Sequence, residues 1–350
     1  MTPLHVYVTY PPEPDLPALH DRLGDLAGAV ELRAGSGYLD PDAVRTRKRG
    51  GTFVGGDGSG EPPLSDEDVA AYAWADVIVA LDVPWRLAEL TPRLRWIQTI
   101  GAGVGQYREE QLAERGVVLS MAAGVGAPPI AEFVIGRLLE HYKRFRELAA
   151  LQREHRWAYT PGGNLGGRTM VIVGLGAIGR EVAVRARAFG VRTVGVRRSY
   201  EPGMTSPLVD ELCGPDGLDD VLPTADIVVL SAPETAETRG LFDAARFARM
   251  KPGAVLCNVA RGSLVDQAAL LEALASGQLA AALLDVVEPE PLPPDDPLWD
   301  AAGVVLSPHT STSTEGYNDR LFDLVAANIR RYLRDEPLAN LVDLTGVGVR

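Results

Sequence analysis

The chain has 350 residues, which is long enough for two domains that each bury a hydrophobic core. Its formal net charge of −13 excludes a protein that attracts nucleic acid through its overall field, and no stretch approaches the ~20 consecutive apolar residues of a membrane-spanning helix. Two cysteines, Cys213 and Cys257, are too few for a disulfide framework and lack the spacing of a metal site.

The first third of the sequence alternates apolar runs with helical patterns. Its opening run, MTPLHVYVTYPPEPD, lacks the basic start and the long apolar core of a signal peptide, so we expect a soluble, cytoplasmic protein. Apolar runs bounded by turn residues predict strands at 5–10, 77–81, 94–100 and 117–121, and helical patterns lie at 16–27 and 66–72. This alternation is typical of a small α/β domain.

Residues 35–63 show neither alternation nor helical periodicity. The segment is rich in glycine and contains the basic run RTRKR at 45–49. A nucleic-acid-binding tail would be expected to interleave aromatic residues with the basic ones, and this run lies in an acidic chain. We therefore expect an irregular surface loop and no nucleic-acid partner.

A second alternation begins at Met170. It predicts a strand from there, a helix ending near 189, and further strands at 191–196, 227–230, 254–259, 280–284 and 304–306, which together indicate a doubly wound parallel sheet. The last element, 318–334, has apolar residues at spacings of three and four and predicts an amphipathic helix. We expect this helix to dock on the first domain.

The second domain opens with a glycine pattern. Gly174, Gly176 and Gly179 form GxGxxG directly after an apolar strand and at the start of a helical pattern. In that context the first glycine permits a tight turn, the second leaves room for a pyrophosphate and the third lets helix and strand pack closely. We predict a dinucleotide site, although glycine pairs also occur in ordinary strand-to-helix turns.

The end of the next strand bears on the choice of cofactor. Arg197, Arg198 and Ser199 stand where an acidic residue would be expected to hold the ribose 2′-hydroxyl of NAD. Guanidinium groups bind a phosphate with forked, charge-assisted hydrogen bonds. We therefore expect NADP(H) to be preferred, with NAD(H) also possible; the alternative is a pair of solvated arginines on a loop.

Several ordered motifs resemble those of the D-isomer-specific 2-hydroxyacid dehydrogenases, in particular the glyoxylate/hydroxypyruvate reductase branch. Besides the glycine loop, the resemblance is carried by LRWIQTIGAGV, APPIAEFVIGRLL, SAPETAETRGLF, NVARGSLVD, LDVVEPEPLP and LSPHTS. It implies two Rossmann-like α/β domains, with a doubly wound cofactor domain at 122–309 inserted into a smaller, flavodoxin-like substrate domain formed by 1–121 and 310–350. It also implies a homodimer, for which the apolar helix around 130–139 could serve; that helix could equally be core.

The resemblance also implies the residues of the site. Arg261 matches the substrate-binding arginine, Glu290 the carboxylate and His309 the acid/base histidine, and the amides of Ala102 and Gly103 would bind the substrate carboxylate. The implied cofactor contacts, besides the glycines, Arg197–Ser199, Arg261 and His309, are Ala177, Ile178, Ala232, Pro233, Thr238, Val259, Ala260 and Asp285. The sequence departs from the family at Gly105, where an aspartate is often found.

The chemistry of a 2-oxo acid reduction calls for the same residue types. The carbonyl oxygen needs a proton donor within hydrogen-bond reach, and histidine, which titrates near neutral pH, suits both directions of the reaction. An arginine fork can hold the substrate carboxylate. Local sequence does not separate Glu290 from Glu288 as the partner of His309; the family pattern favours Glu290, with Asp285 either contacting the nicotinamide or bracing the site.

Other interpretations remain open from the sequence. Taken alone, His309 could be a satisfied loop histidine and Arg261 a surface charge. The fold also suits a dinucleotide-sensing, corepressor-like scaffold, although retention of Arg261, Glu290 and His309 favours an enzyme. Formate or phosphite are alternative substrates, but formate-type relatives carry glutamine where Glu290 stands. We expect a small anionic 2-oxo or 2-hydroxy acid, without specifying which one.

Overall fold

The structure is a computed structural model that describes residues 2–10, 14–35, 63–84, 86–104, 107 and 109–344. These residues divide into two compact units, one formed by the chain up to Val125 and from Glu315, and the other by Gly126–Thr314. The predicted domain boundaries at 121 and 309 thus fall at 125 and 314 in the structure. Of the loop predicted at 35–63, all but the two end residues lie outside the described residues, as does Gly105.

The described strands and helices alternate along most of the chain. The strands are β1 (Leu4–Val8), β2 (Val30–Ala34), β3 (Val77–Ala80), β4 (Trp96–Thr99), β5 (Val118–Ser120), β6 (Thr169–Val173), β7 (Arg192–Val196), β8 (Glu211–Cys213), β9 (Ile227–Leu230), β10 (Ala254–Asn258), β11 (Leu279–Leu284) and β12 (Val304–Leu306). The helices are α1 (Leu16–Leu23), α2 (Asp66–Trp74), α3 (Leu87–Leu90), α4 (Glu109–Glu114), α5 (Ala127–Tyr142), α6 (Phe145–Arg153), α7 (Ala177–Ala188), α8 (Leu218–Val221), α9 (Ala244–Arg249), α10 (Gln267–Ala275) and α11 (Tyr317–Leu333).

The described part of the first unit holds a five-stranded parallel sheet in the order β2-β1-β3-β4-β5. Strands β1, β3 and β4 are buried along their whole length, as expected for central strands of a parallel sheet covered on both faces. Strand β2 was missed from the sequence. It is an edge strand, VELRA, whose single buried residue is Val30, so it lacks the continuous apolar run of its neighbours.

The C-terminal helix α11 completes the first unit, as predicted. Leu321, Val325 and Ile329 repeat at a spacing of four and are fully buried in one cluster with residues of β1 and β3. On its outer side, Arg22 of α1 donates hydrogen bonds to Asp319 at 2.7 Å and Asp323 at 2.8 Å. The apolar face of α11 is therefore buried against the sheet of the first unit, where the sequence predicted that it would dock.

A buried polar network fixes the position of α11. Asn328, fully buried, donates to Gln98 Oε1 on β4 at 2.9 Å and to the Ala339 carbonyl at 3.2 Å, and it accepts from the Ala339 amide at 2.8 Å. Gln98 Oε1 also accepts from the Ser120 hydroxyl of β5 at 2.7 Å. Because each of these polar groups has a partner, the network joins helix, sheet and C-terminal segment without an unpaired buried group.

The second unit holds a seven-stranded parallel sheet in the order β12-β11-β10-β9-β6-β7-β8. The strand order reverses its direction between β6 and β9, which makes the sheet doubly wound, as the sequence predicted. Strand β8, a three-residue edge strand, was missed from the sequence. The helix predicted around 130–139 is α5; its apolar residues Ile130, Val134 and Leu138 are buried in a core cluster with β6 and α7.

Among the described helices, none is both long enough and apolar enough to cross a bilayer.

Candidate active site

Three of the predicted site residues follow three neighbouring strands. Arg261 comes after β10, Asp285 directly after β11 and His309 shortly after β12, and these strands are adjacent in the sheet. Because the strands are parallel, their carboxyl ends lie along one edge, where ligands bind in doubly wound folds. The topology thus places all three residues at the same edge.

His309 and Glu290 form a hydrogen-bonded pair. The His309 Nδ1 and Glu290 Oε2 atoms lie 3.0 Å apart, with side chains that are 33% and 16% exposed, respectively. Glu290 Oε1 accepts a hydrogen bond from the Val287 amide at 3.2 Å, so the carboxylate is itself oriented. With Nδ1 engaged, Nε2 is the ring nitrogen that can exchange a proton with a substrate.

The neighbouring acid, Glu288, has a different partner. Arg239 Nη1 donates to both Glu288 carboxylate oxygens at 3.3 Å, and Arg239 Nη2 donates to Glu234 at 2.7 Å. The Glu288 amide donates to Gln267 Oε1 at 2.9 Å. The structure therefore brings Glu290, and not Glu288, against His309, a distinction that local sequence did not make.

Arg261 stands on a turn that Asn258 shapes. Asn258, 1% exposed at the end of β10, accepts from the Ala260 amide at 3.0 Å and donates to the Arg261 carbonyl at 2.9 Å. At the next position, an ideal Cβ on Gly262 would lie 2.0 Å from the Val287 carbonyl carbon, so only glycine permits this approach. The Arg261 turn is thereby held against the segment that carries Glu290. Asn258 was not predicted as a site residue.

The glycine loop has the geometry of a dinucleotide cradle. Gly174 has φ +99°, and a Cβ there would lie 2.5 Å from the Ala232 nitrogen; a Cβ on Gly179 would lie 2.2 Å from the Gly174 carbonyl oxygen. By contrast, nothing lies within 4 Å of a Cβ on Gly176, immediately before Ala177 and Ile178 begin α7. Open space at a helix N-terminus fits the pyrophosphate of a dinucleotide.

A cavity of about 870 Å³ extends from this loop. It is lined by predicted cofactor residues, namely Gly174, Gly176, Arg197, Arg198, Ser199, Ala232, Pro233 and Thr238. Arg197 donates to the Ser199 hydroxyl from Nε at 3.0 Å and from Nη2 at 2.6 Å, so its guanidinium is already oriented within the cavity wall. The predicted residues at the end of β7 therefore face the same space as the glycine loop.

The wall of this cavity contains an ion pair that was not predicted from the sequence. Arg246 of α9 donates to Asp219 of α8 at 3.0 Å, and both residues line the cavity together with Asp216 and Glu237. No motif marked these residues, because each stands on a separate helix or loop with an ordinary surface composition.

The remaining predicted contacts have separate positions. Val259 and Ala260 are buried after β10, and Asp285 is 2% exposed, with its carboxylate facing the loop that carries His309. Ala102 and Gly103 belong to the first unit, in the turn after β4. That their amides bind the substrate carboxylate stays a prediction.

Comparison with known proteins identifies the family. The family described as "D-isomer specific 2-hydroxyacid dehydrogenase, NAD binding domain" matches residues 135–311. Glyoxylate reductase of Korarchaeum cryptofilum is 34% identical over 302 residues, covering 83% of this chain and 89% of the relative. The chain belongs to the D-isomer specific 2-hydroxyacid dehydrogenase family.

Two further comparisons concern the length and the fold of the chain. D-3-phosphoglycerate dehydrogenase of Mycobacterium tuberculosis is 35% identical over 289 residues, 81% of this chain but 54% of the relative, so the chain spans about half the length of that enzyme. The crystal structure of the NADPH-dependent glyoxylate/hydroxypyruvate reductase of Sinorhizobium meliloti, in complex with NADP and sulfate, superposes with a TM-score of 0.70 at 27% identity, covering 97% of this chain and 98% of that chain.

Proposed function

We propose that this 2-hydroxyacid dehydrogenase transfers a hydride between NADP(H) and C2 of a small 2-oxo or 2-hydroxy acid of the glyoxylate/hydroxypyruvate type, with D-isomer specificity. The observation that carries the proposal is the 3.0 Å pair of His309 and Glu290 at the sheet edge where Arg261 also emerges. The similarity to the Korarchaeum glyoxylate reductase supports the substrate class.

Each residue has a part in the proposed reaction. Arg261 binds the substrate carboxylate with its guanidinium fork and polarises the carbonyl. His309 donates a proton from Nε2 to the carbonyl oxygen during reduction and accepts it during oxidation, while Glu290 fixes the orientation of the ring through Nδ1. The bound cofactor supplies the hydride. Since the whole chain is acidic, capture of an anionic acid depends on Arg261 locally.

The cavity residues support a preference for NADP(H). Gly174 and Gly176 would hold the pyrophosphate, and Arg197, Arg198 and Ser199 would hold a 2′-phosphate on the ribose. The Sinorhizobium structure, which contains NADP, supports the same choice. Asp216 and Asp219 in the same wall would oppose a phosphate placed close to them, so the preference depends on the two arginines.

The cofactor proposal is tested by reversing one charge. In Arg197→Asp, loss of the guanidinium and gain of an acceptor for the ribose hydroxyl should lower kcat/KM for NADPH by about tenfold or more and favour NADH. Arg249→Asp, on α9 and not lining the cavity, makes the same charge change. This variant should leave the ratio of kcat/KM for NADPH to kcat/KM for NADH unchanged. Equal use of both cofactors by the parent enzyme would contradict the proposal.

The reaction itself is tested on a panel of acids. Absorbance of NADPH and NADH is followed with glyoxylate, hydroxypyruvate, pyruvate, phenylpyruvate and a branched 2-oxo acid, with phosphite and formate as oxidisable alternatives. We expect the highest kcat/KM for glyoxylate or hydroxypyruvate. Turnover of none of these compounds, together with tight cofactor binding, would favour a corepressor-like scaffold.

We also propose a homodimer that uses residues 145–159. Among the described large apolar side chains that are exposed, four lie here: Phe145 (53%), Leu148 (41%), Trp157 (105%) and Tyr159 (94%). Phe145 and Leu148 share a face of α6, of which no residue is buried. Burying the two larger aromatic side chains would remove about 300–500 Å² per copy from water, a large part of the roughly 800 Å² that each partner contributes to a stable interface.

A second copy of the chain is the occupant we propose for this surface, in place of the 130–139 face, which is buried in the core. In sedimentation experiments the parent should be a dimer, and Trp157→Ser combined with Tyr159→Ser should shift it to monomer. Val69→Ser, on an exposed position of α2, should not. A monomeric parent would contradict the proposal.

We propose a cytoplasmic location. Both cysteines are free thiols, and burial raises the pKa of Cys257 to about 12, which keeps its thiol protonated and unreactive. Free, unpaired thiols suit a reducing compartment.

A further inference from the structure

His309 has a backbone conformation that an ordinary residue rarely adopts. Its φ of +53° lies in the left-handed region, which is unfavourable for a side chain with a Cβ. Such a conformation persists where surrounding contacts over-determine it. The contacts that hold it here come from the end of β11.

Asp285 supplies these contacts from both its backbone and its side chain. Its carbonyl oxygen accepts from the His309 amide at 2.8 Å. Its Oδ1 accepts from the Ser307 hydroxyl at 2.8 Å, the Thr310 amide at 3.0 Å and the Ser311 amide at 3.2 Å. Its Oδ2 accepts from the Ser311 hydroxyl at 2.5 Å and, more weakly, from the Ser311 amide at 3.3 Å.

The Asp285 carboxylate accepts five contacts. They occupy its acceptor positions, because two carboxylate oxygens offer about four lone pairs. Asp285 is 2% exposed, and Ser311 is 5% exposed. The donors flank His309 on both sides, from residue 307 to residue 311. The carboxylate therefore binds the loop on both sides of His309.

We propose that Asp285 and Ser311 form a clamp that positions His309, with Ser311 a positioning residue of this chain that acts through Asp285. The proposal rests on the proposed function in one respect, namely that His309 is the proton donor. The clamp sets the left-handed turn, and the turn directs the imidazole so that Nδ1 meets Glu290. Removing the Ser311 hydroxyl leaves Oδ2 with the weaker amide contact and loosens the turn.

The test compares Ser311→Ala with Ser313→Ala, an exposed serine of the same loop. Two kinds of measurement are made. The first gives kcat on the best 2-oxo acid and the Kd of NADPH. The second follows the ring C–H resonance of His309 in NMR spectra of histidine-labelled protein, assigned by its loss in His309→Gln. We expect Ser311→Ala to lower kcat about tenfold without changing the Kd of NADPH, and to shift the His309 resonance. Ser313→Ala should match the parent in both.

The NMR readout separates the clamp from the proposed function. A His309 resonance that coincides with the parent in Ser311→Ala overturns the clamp, whatever the activity; a rise in the Kd of NADPH with an unmoved resonance would assign Asp285 to the cofactor instead. A shifted resonance in a protein that turns over no 2-oxo acid supports the clamp and overturns the proposed function. If Ser311→Ala does not fold, Ser307→Ala removes the half-buried hydroxyl on Oδ1 and is judged by the same criteria.

Discussion

At the scale of single residues, the site separates two glutamates that are two positions apart in the sequence. Glu290 meets His309 and is held by the Val287 amide, whereas Glu288 meets Arg239. A hydrogen bond to a charged group contributes about 1.5–3 kcal/mol in proteins, enough to fix a half-buried imidazole. The two acids therefore differ in what their removal should do.

We predict that Glu290→Gln lowers kcat by about tenfold to a hundredfold, because a neutral amide makes a weaker hydrogen bond to Nδ1 than a carboxylate does and orients the ring less well. Glu288→Gln is the matched control and should keep kcat near the parent value, since its partner Arg239 is on the surface. Steady-state kinetics with saturating cofactor measure both. Similar losses in the two variants would show that the 3.0 Å pair has no special part in turnover.

Sequence reasoning reached the residue types but not their contacts. A histidine after a strand end and a family motif predicted His309, and the position of Arg197 at the end of a strand, where an acidic residue would be expected, predicted a contact with a 2′-phosphate. The choice between Glu288 and Glu290 depends on which side of a short turn each acid faces, and the role of Asp285 depends on hydrogen bonds from residues 307–311. The orientation of these acids and the contacts of Asp285 cannot be read from composition or spacing. Asn258 and Arg246 were not predicted for the same reason.

At the scale of elements, the long apolar strands and the C-terminal amphipathic helix could be predicted because burial on one or both faces imposes a period on the sequence. The missed strands, β2 and β8, are both edge strands with charged residues, one of them three residues long. Hydrogen bonding to a single neighbour defines them, and a sequence pattern does not record it. The helix at 130–139 was predicted, but only the structure decided that its apolar face is core.

Helix α11 provides the prediction at this scale. Asn328→Ala should lower the free energy of unfolding by about 1–3 kcal/mol, because Gln98 Oε1 and both backbone groups of Ala339 lose a buried partner. Asn318→Ala, on an exposed position of the same helix, should change it by less than about 0.5 kcal/mol. Urea denaturation measures both variants. An unchanged midpoint for Asn328→Ala would mean that packing alone holds α11.

At the scale of the whole molecule, the sequence predicted two α/β units with boundaries after residues 121 and 309. In the structure the units divide after residues 125 and 314. The later boundary follows from the loop after His309. Thr310 and Ser311 donate hydrogen bonds to Asp285. A Cβ on Gly126 would lie 2.8 Å from the Thr312 methyl carbon. Residues 310–312 therefore pack with the second unit. Alternation of strands and helices locates units, but it does not show where loop contacts end.

The proposed role of His309 is that of proton donor in an NADPH-dependent 2-oxo acid reductase. It is tested most directly by measuring kcat for glyoxylate and hydroxypyruvate, and the Kd of NADPH, for the parent and His309→Ala. General acid catalysis contributes roughly 10²–10⁴-fold, so kcat should fall by that factor while NADPH binds as in the parent. A His309→Ala enzyme that keeps the parent's kcat would contradict the role of His309 as proton donor.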